Sequence, residues 1–99
     1  MAKEIKIQHG QMIALKLTPE ERELLLDKLI FVDDELEGQL RLVIAGSQEV
    51  QLTLEDLEDL AGCVAAEANH TKDRKLGKKL DRVFERIEGL LELFEEDRQ

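Results

Sequence analysis

Leu15-Lys16-Leu17-Thr18-Pro19-Glu20-Glu21 and Val50-Gln51-Leu52-Thr53-Leu54-Glu55-Asp56 are two versions of one pattern, in which apolar alternation stops at a threonine followed by acidic residues. Alternation buries one face of a strand. A threonine at a helix start accepts a hydrogen bond from a backbone N–H two or three residues on, and acidic side chains in the first turn complement the helix dipole. In the first copy Pro19 suits the opening helical position, and Glu21 completes a capping box with Thr18. Each stretch reads as a strand running straight into a capped helix, so the fold must contain both elements.

Residues 4–8 also alternate, and His9-Gly10 separates them from Ile13, Leu15 and Leu17. This arrangement predicts a β-hairpin. The helix after Thr18 carries Leu24, Leu25, Lys28, Leu29 and Val32 at helical steps and fades in Asp33-Asp34-Glu35, ahead of Gly38. At an offset of 35 the pattern returns, with Ile5 and Ile7 answering to Leu40 and Leu42, and Leu15 and Leu17 to Val50 and Leu52. The expectation is one domain over 1–99, built from two ββα-like units (1–38 and 39–71) and a C-terminal helix within 72–99. The second hairpin would turn near Gly46-Ser47, and its helix would run from Leu54 to about His70. Residues 34–45 admit another reading, because Leu36, Leu40, Val43 and Ile44 also fit a helical face behind an Asp34 cap.

Leu76, Leu80, Val83, Ile87, Leu90, Leu91 and Phe94 recur at steps of three and four, which predicts a helix from about Asp73 to Glu96 with one apolar stripe. At about 1.5 Å per residue it would be about 35 Å long and overhang helix 54–70. Gly77 and Gly89 would permit a kink or a close helix approach. The architecture expected is α+β, with an antiparallel sheet of about four strands, helices on one face and a long C-terminal amphipathic helix.

With 42% hydrophobic and 37% charged residues in 99, the chain can bury one core and has no room for a second. Fourteen Lys and Arg against twenty-three Asp and Glu give a net charge of −9, which repels phosphate backbones and anionic membranes. Three Phe, with no Tyr or Trp, leave few platforms for base stacking, so nucleic acid is a disfavoured partner. No apolar run approaches the roughly 20 residues that span a bilayer, and no membrane segment is expected. The one cysteine, Cys63, cannot form an internal disulfide, and the opening Met-Ala-Lys-Glu-Ile-Lys-Ile lacks the apolar stretch of a signal peptide. Both features point to a reducing cytoplasm.

The charge is unevenly placed. Residues 1–71 carry six basic and fifteen acidic side chains, whereas 72–99 carry eight of each. Within the last segment Lys72, Arg74, Lys75, Lys78, Lys79, Arg82 and Arg86 precede Glu88, Glu92, Glu95, Glu96 and Asp97. This order opposes the helix dipole, so another interaction must favour it. Antiparallel pairing of two copies would do so while covering Leu80, Val83, Ile87, Leu90, Leu91 and Phe94. Alternatively, the basic half meets acidic side chains of its own chain.

On a helical wheel for 54–70, the buried face is Leu54, Leu57, Leu60, Ala61, Val64, Ala65 and Ala68, while Asp56, Asp59, Cys63, Glu67 and His70 line one flank. No other constellation combines metal-ligating and catalytic residue types. Glu67 and His70 have the Glu-x-x-His spacing of four-helix di-iron sites, but such a site needs two of these pairs with further carboxylates, and the chain has two His in all. Zinc on Cys63, Glu67 and His70 would lack a fourth protein ligand. Cys63 and His70 stand about 10.5 Å apart along the axis, too far for the imidazole to activate the thiol. The plainer reading is a solvated edge on which His70 favours the helix C-terminus. Phosphate-loop glycine patterns are absent, and Ser47 has no neighbouring His for a triad. No catalytic residue, cofactor or metal is therefore expected.

Three functions remain to compare. The first is a small interaction or regulatory module that forms a homodimer through its C-terminal helix. The second is an acidic competitor for a basic, nucleic-acid-binding surface, since residues 33–67 hold ten acidic residues and only Arg41 as a base. The third is a metal-binding or enzymatic protein using the Cys63, Glu67 and His70 flank.

Overall fold

The structure is a computed structural model, and it describes residues 5–29, 34–42 and 49–96. Their elements are β1 (Ile5–Ile7), β2 (Ile13–Lys16), α1 (Pro19–Lys28), α2 (Asp34–Arg41), β3 (Glu49–Leu52), α3 (Leu54–His70), α4 (Arg74–Leu93) and β4 (Phe94–Glu96). Expectations on Val32, Val43, Ile44 and the Gly46-Ser47 turn fall outside the described residues.

Both strand-to-helix junctions form. The Thr18 hydroxyl accepts from the Glu21 N–H at 3.0 Å, and the Glu21 carboxylate accepts from the Thr18 N–H at 3.0 Å, closing the capping box ahead of α1. Thr53 caps α3 by accepting from the Asp56 N–H at 3.1 Å. Asp73 starts α4 by accepting from the Lys75 and Leu76 N–H groups. Each cap satisfies backbone donors that the first helical turn leaves without partners.

β2 and β3 form an antiparallel ladder in which Ile13 faces Leu52 and Leu15 faces Val50. All four side chains are buried, as alternation along both strands requires, and Lys16 opposes Glu49 at the edge. Leu54, Leu57, Leu60, Ala61 and Val64 of α3 meet Leu80, Val83 and Ile87 of α4 in the same core, with Leu36 and Leu40 of α2. The connection from α3 to α4 is residues 71–73, and these two helices share the most extensive packing between elements. The core is one continuous cluster.

The expected four-stranded antiparallel sheet is not formed. The strands make two ladders of two: β2 with β3, and β1 in parallel with β4, where Ile5 faces Phe94 and Ile7 faces Glu96. The chain does reverse after β1, with Gly10 at φ 82° and the Gln11 N–H donating to the Gln8 carbonyl, but the flanking strands then take different partners. Alternation specifies which face a strand buries and leaves its edge partner open.

Nor do two ββα units divide the chain. Leu40 lies in α2, four residues after Leu36 and buried with it, so the boundary at 38/39 runs through a helix. Asp34, Glu35 and Glu37 in its first turn, and the Arg41–Glu37 pair at 3.6 Å, support helix where the repeat predicted a strand. Leu42, the supposed partner of Ile7 in the repeat, is 67% exposed.

The last helix is also shorter than its stripe suggested. It ends at Leu93, and Phe94 is extended, with its N–H donating to the Leu90 carbonyl. No basic residue occupies the last turn, and Glu95 and Glu96 would oppose the dipole of a longer helix, whereas β1 offers a ladder. α4 is unbroken at its glycines. A Cβ at Gly89 would meet nothing within 4 Å, and one at Gly77 would only touch the Thr71 methyl at 3.7 Å.

Candidate functional site

On α3, the flank of Asp56, Asp59, Cys63, Glu67 and His70 does not converge. Asp59 and His70 are exposed, while Asp56, Cys63 and Glu67 are half-buried. Among the described residues, no group of three or more His, Cys, Asp or Glu is placed to hold a metal ion. Cys63 packs against the core, and burial, reinforced by the nearby Asp59 charge, pushes its thiol pKa up. A nucleophilic cysteine needs the opposite shift.

The C-terminal stripe divides into two parts. Leu80, Val83 and Ile87 are fully buried inside the chain and have no surface to give to a second copy. Leu90, Leu91 and Phe94 are half-buried against the same core. Across the ladder from Phe94, Ile5 is 41% exposed.

The charge order along α4 has an answer within the chain. Lys79 pairs with Glu20 at 3.2 Å. Arg86 grips Glu21 with two hydrogen bonds, Nη1 to Oε1 at 2.7 Å and Nη2 to Oε2 at 3.2 Å, while Nη1 also donates to the Lys16 carbonyl at 2.8 Å. This bond to Arg86 holds the Glu21 carboxyl below its usual pKa; partial burial works against the shift, and the Thr18 amide adds to it. One guanidinium thus ties together the end of β2, the cap of α1 and the middle of α4. The charge order was visible in the sequence, but spacing alone did not reveal that α1 supplies the carboxylates.

Both contacts use the first turn of α1, and a notch of about 490 Å3 lies between α1 and α4. Leu24 is half-buried in its lining, with Glu20, Glu23 and Asp27 on the α1 side and Lys79 and Arg82 on the α4 side. Glu23 and Arg82 make no ion pair among the described residues, and the only partner of Asp27 is its neighbour Lys28, at 3.6 Å on exposed side chains. A second hollow, of about 470 Å3, borders the other side of α1, where Leu26 lines it and Glu23 and Asp27 appear again beside Arg22 and Arg41. α1 therefore stands as a ridge with Glu23 and Asp27 along its crest, Arg22 and Lys28 beside them, and an apolar side chain on each slope. The sequence signal was the unbroken Leu24-Leu25-Leu26 run, which covers too wide an arc of a helix for all three to point inward.

Compared with known proteins, the chain matches no family, no curated protein and no solved structure. Among the described residues no helix is long and apolar enough to cross a membrane.

Proposed function

We propose that this chain is a small acidic protein-interaction module, which acts by presenting a surface. The observation that supports this reading is the ridge of α1. It buries Leu25 alone, leaves Leu24 and Leu26 half-covered on its slopes, and carries charge along its crest, exposed Glu23 and Asp27 with Arg22 and Lys28 beside them. Apolar contact area rimmed by charge is the composition of a surface that excludes water on binding and selects its partner by charge. The test is photo-crosslinking in cells, with the crosslinker placed in turn at Glu23, Glu37, Glu58 and Glu85. A discrete protein adduct from one position with the others silent is the expected result. Silence at all four, or the same diffuse labelling from all four, would overturn the reading.

A second reading, self-association through the end of α4, draws on Ile5, Leu90, Leu91 and Phe94. It is narrower than the stripe expected from sequence, because Leu80, Val83 and Ile87 are internal and the basic half of α4 meets α1. Light scattering across protein concentration tests it. A dimer that Leu91→Glu with Phe94→Glu converts to a folded monomer supports it, and a monomeric wild type at every concentration ends it.

A further inference from the structure

Resting on the reading of this chain as an interaction module, we propose that the notch between α1 and α4 takes an amphipathic helix of a partner protein. Its apolar side chain lies against Leu24, its Lys or Arg side chains face Glu23 and Asp27, and an acidic side chain faces Arg82. Glu20 and Glu21 are already held by Lys79 and Arg86, and Asp27 meets only its neighbour Lys28 at 3.6 Å on exposed side chains, so the charges a partner can engage are Glu23 and Asp27 on one wall and Arg82 on the other. The chain's net charge of −9 adds a general attraction for a basic partner. Arg82 narrows the choice, because a segment with positive charge all round would be repelled at that wall. The partner therefore carries basic residues along one side of its apolar stripe and an acidic residue along the other.

The geometry favours a helix. Glu23 and Asp27 are four residues apart on α1, about 6 Å along its axis, and basic residues at the same spacing on a second helix meet them in register. The notch, at about 490 Å3, has room for side chains and not for a whole helix, so the partner lies over it and inserts them. The hollow on the other slope shares Glu23 and Asp27 but adds Arg22 and Arg41, so a partner's basic side chains reach these two carboxylates from the α4 side.

The probe is a synthetic 18-residue helix with a leucine row flanked by lysines on one side and glutamates on the other, titrated into the full isotope-labelled chain and followed by amide shifts. Perturbation of residues 20–27 and 79–82 is expected, with a lysine-only helix of equal length binding more weakly. Glu23→Lys with Asp27→Lys should weaken binding about tenfold or more, while Glu55→Lys with Glu58→Lys, an equal charge change on α3, should alter it less than about twofold. These four side chains are exposed, so both variants should keep the fold. Equal weakening by the two pairs would reduce the effect to net charge and overturn the proposal, as would a wild type that does not bind the probe. Shifts confined to α3 or to Leu90–Phe94 would overturn the notch while leaving the interaction-module reading intact. A fall in solution mass in Glu23→Lys with Asp27→Lys would make a second copy the occupant, and would overturn the proposal as well.

Discussion

α1 and α3 each follow a strand through a threonine cap, yet α3 runs for 17 residues and buries five side chains, whereas α1 runs for ten and buries Leu25 alone. The cap sets where a helix begins. Apolar spacing then sets how much of it the core takes: Leu54, Leu57, Leu60, Ala61 and Val64 return to one face, while Leu24, Leu25 and Leu26 fan across three directions. α1 is held to the body instead by polar contacts from Lys79 and Arg86 at its first turn. The helix that gives least to the interior keeps most of its surface for other uses.

The largest expected effect separates the two helices directly. Leu57→Ala or Leu60→Ala, at fully buried positions of α3, should cost about 2–5 kcal/mol in urea denaturation. Leu24→Ala on α1 should cost about 1 kcal/mol, because its side chain is only half-buried. Equal losses would erase the distinction.

The polar attachment of α1 comes next in size. Glu21→Gln should destabilise by about 1–2 kcal/mol near neutral pH, kept modest by the partial exposure of Arg86. Because the folded-state pKa of Glu21 lies below its usual value of 4.5, its contribution is complete above that value and is lost as pH falls through the lower, folded one. Acid titration of stability should therefore be flatter in Glu21→Gln than in wild type across that window, and identical curves would break the assignment.

Thr18→Ala and Thr53→Ala should each cost about 1 kcal/mol, since each hydroxyl accepts from the backbone N–H three residues on. A clearly larger loss at Thr18 would show that the capping box and Arg86 act as a unit. The smallest effect is a gain. Gly62→Ala on α3 and Gly89→Ala on α4 should each raise stability by about 0.5–1 kcal/mol in thermal melts, because a Cβ at either position meets nothing within 4 Å.

What could be read from the sequence follows the same division between local and distant causes. Thr18 with Glu21, Thr53 with Asp56, and the apolar face of α3 are short-range instructions, and they stand in the structure, except that Ala65 and Ala68 at the far end of that face are only half-buried. Leu40 was ambiguous because it fits both an alternation with Leu42 and a helical step from Leu36, and apolar spacing alone does not weigh the first-turn acids and the Arg41–Glu37 pair that support the helix. Ile5 and Ile7 alternated correctly, but their ladder partner comes from the other end of the described chain. Among the candidate residues, the flank on α3 was visible as a set of residue types, while the ridge of α1 lay in a leucine run of which helical spacing singled out only Leu24 and Leu25. The opposed charges of Glu21 and Arg86 were both noted, but what placed them together was the fold.

The parallel ladder of β1 and β4 has a consequence for how the chain comes into being. β1 leaves the ribosome before every other described element, and its hydrogen-bonding partner, Phe94–Glu96, is made only after α1, α2, α3 and α4. Until then β1 lacks its native ladder partner, whatever the helices and the β2–β3 ladder have already achieved. Closing it then fixes the longest loop that any ladder closes among the described residues, the kind of contact that carries the largest entropy cost and forms late.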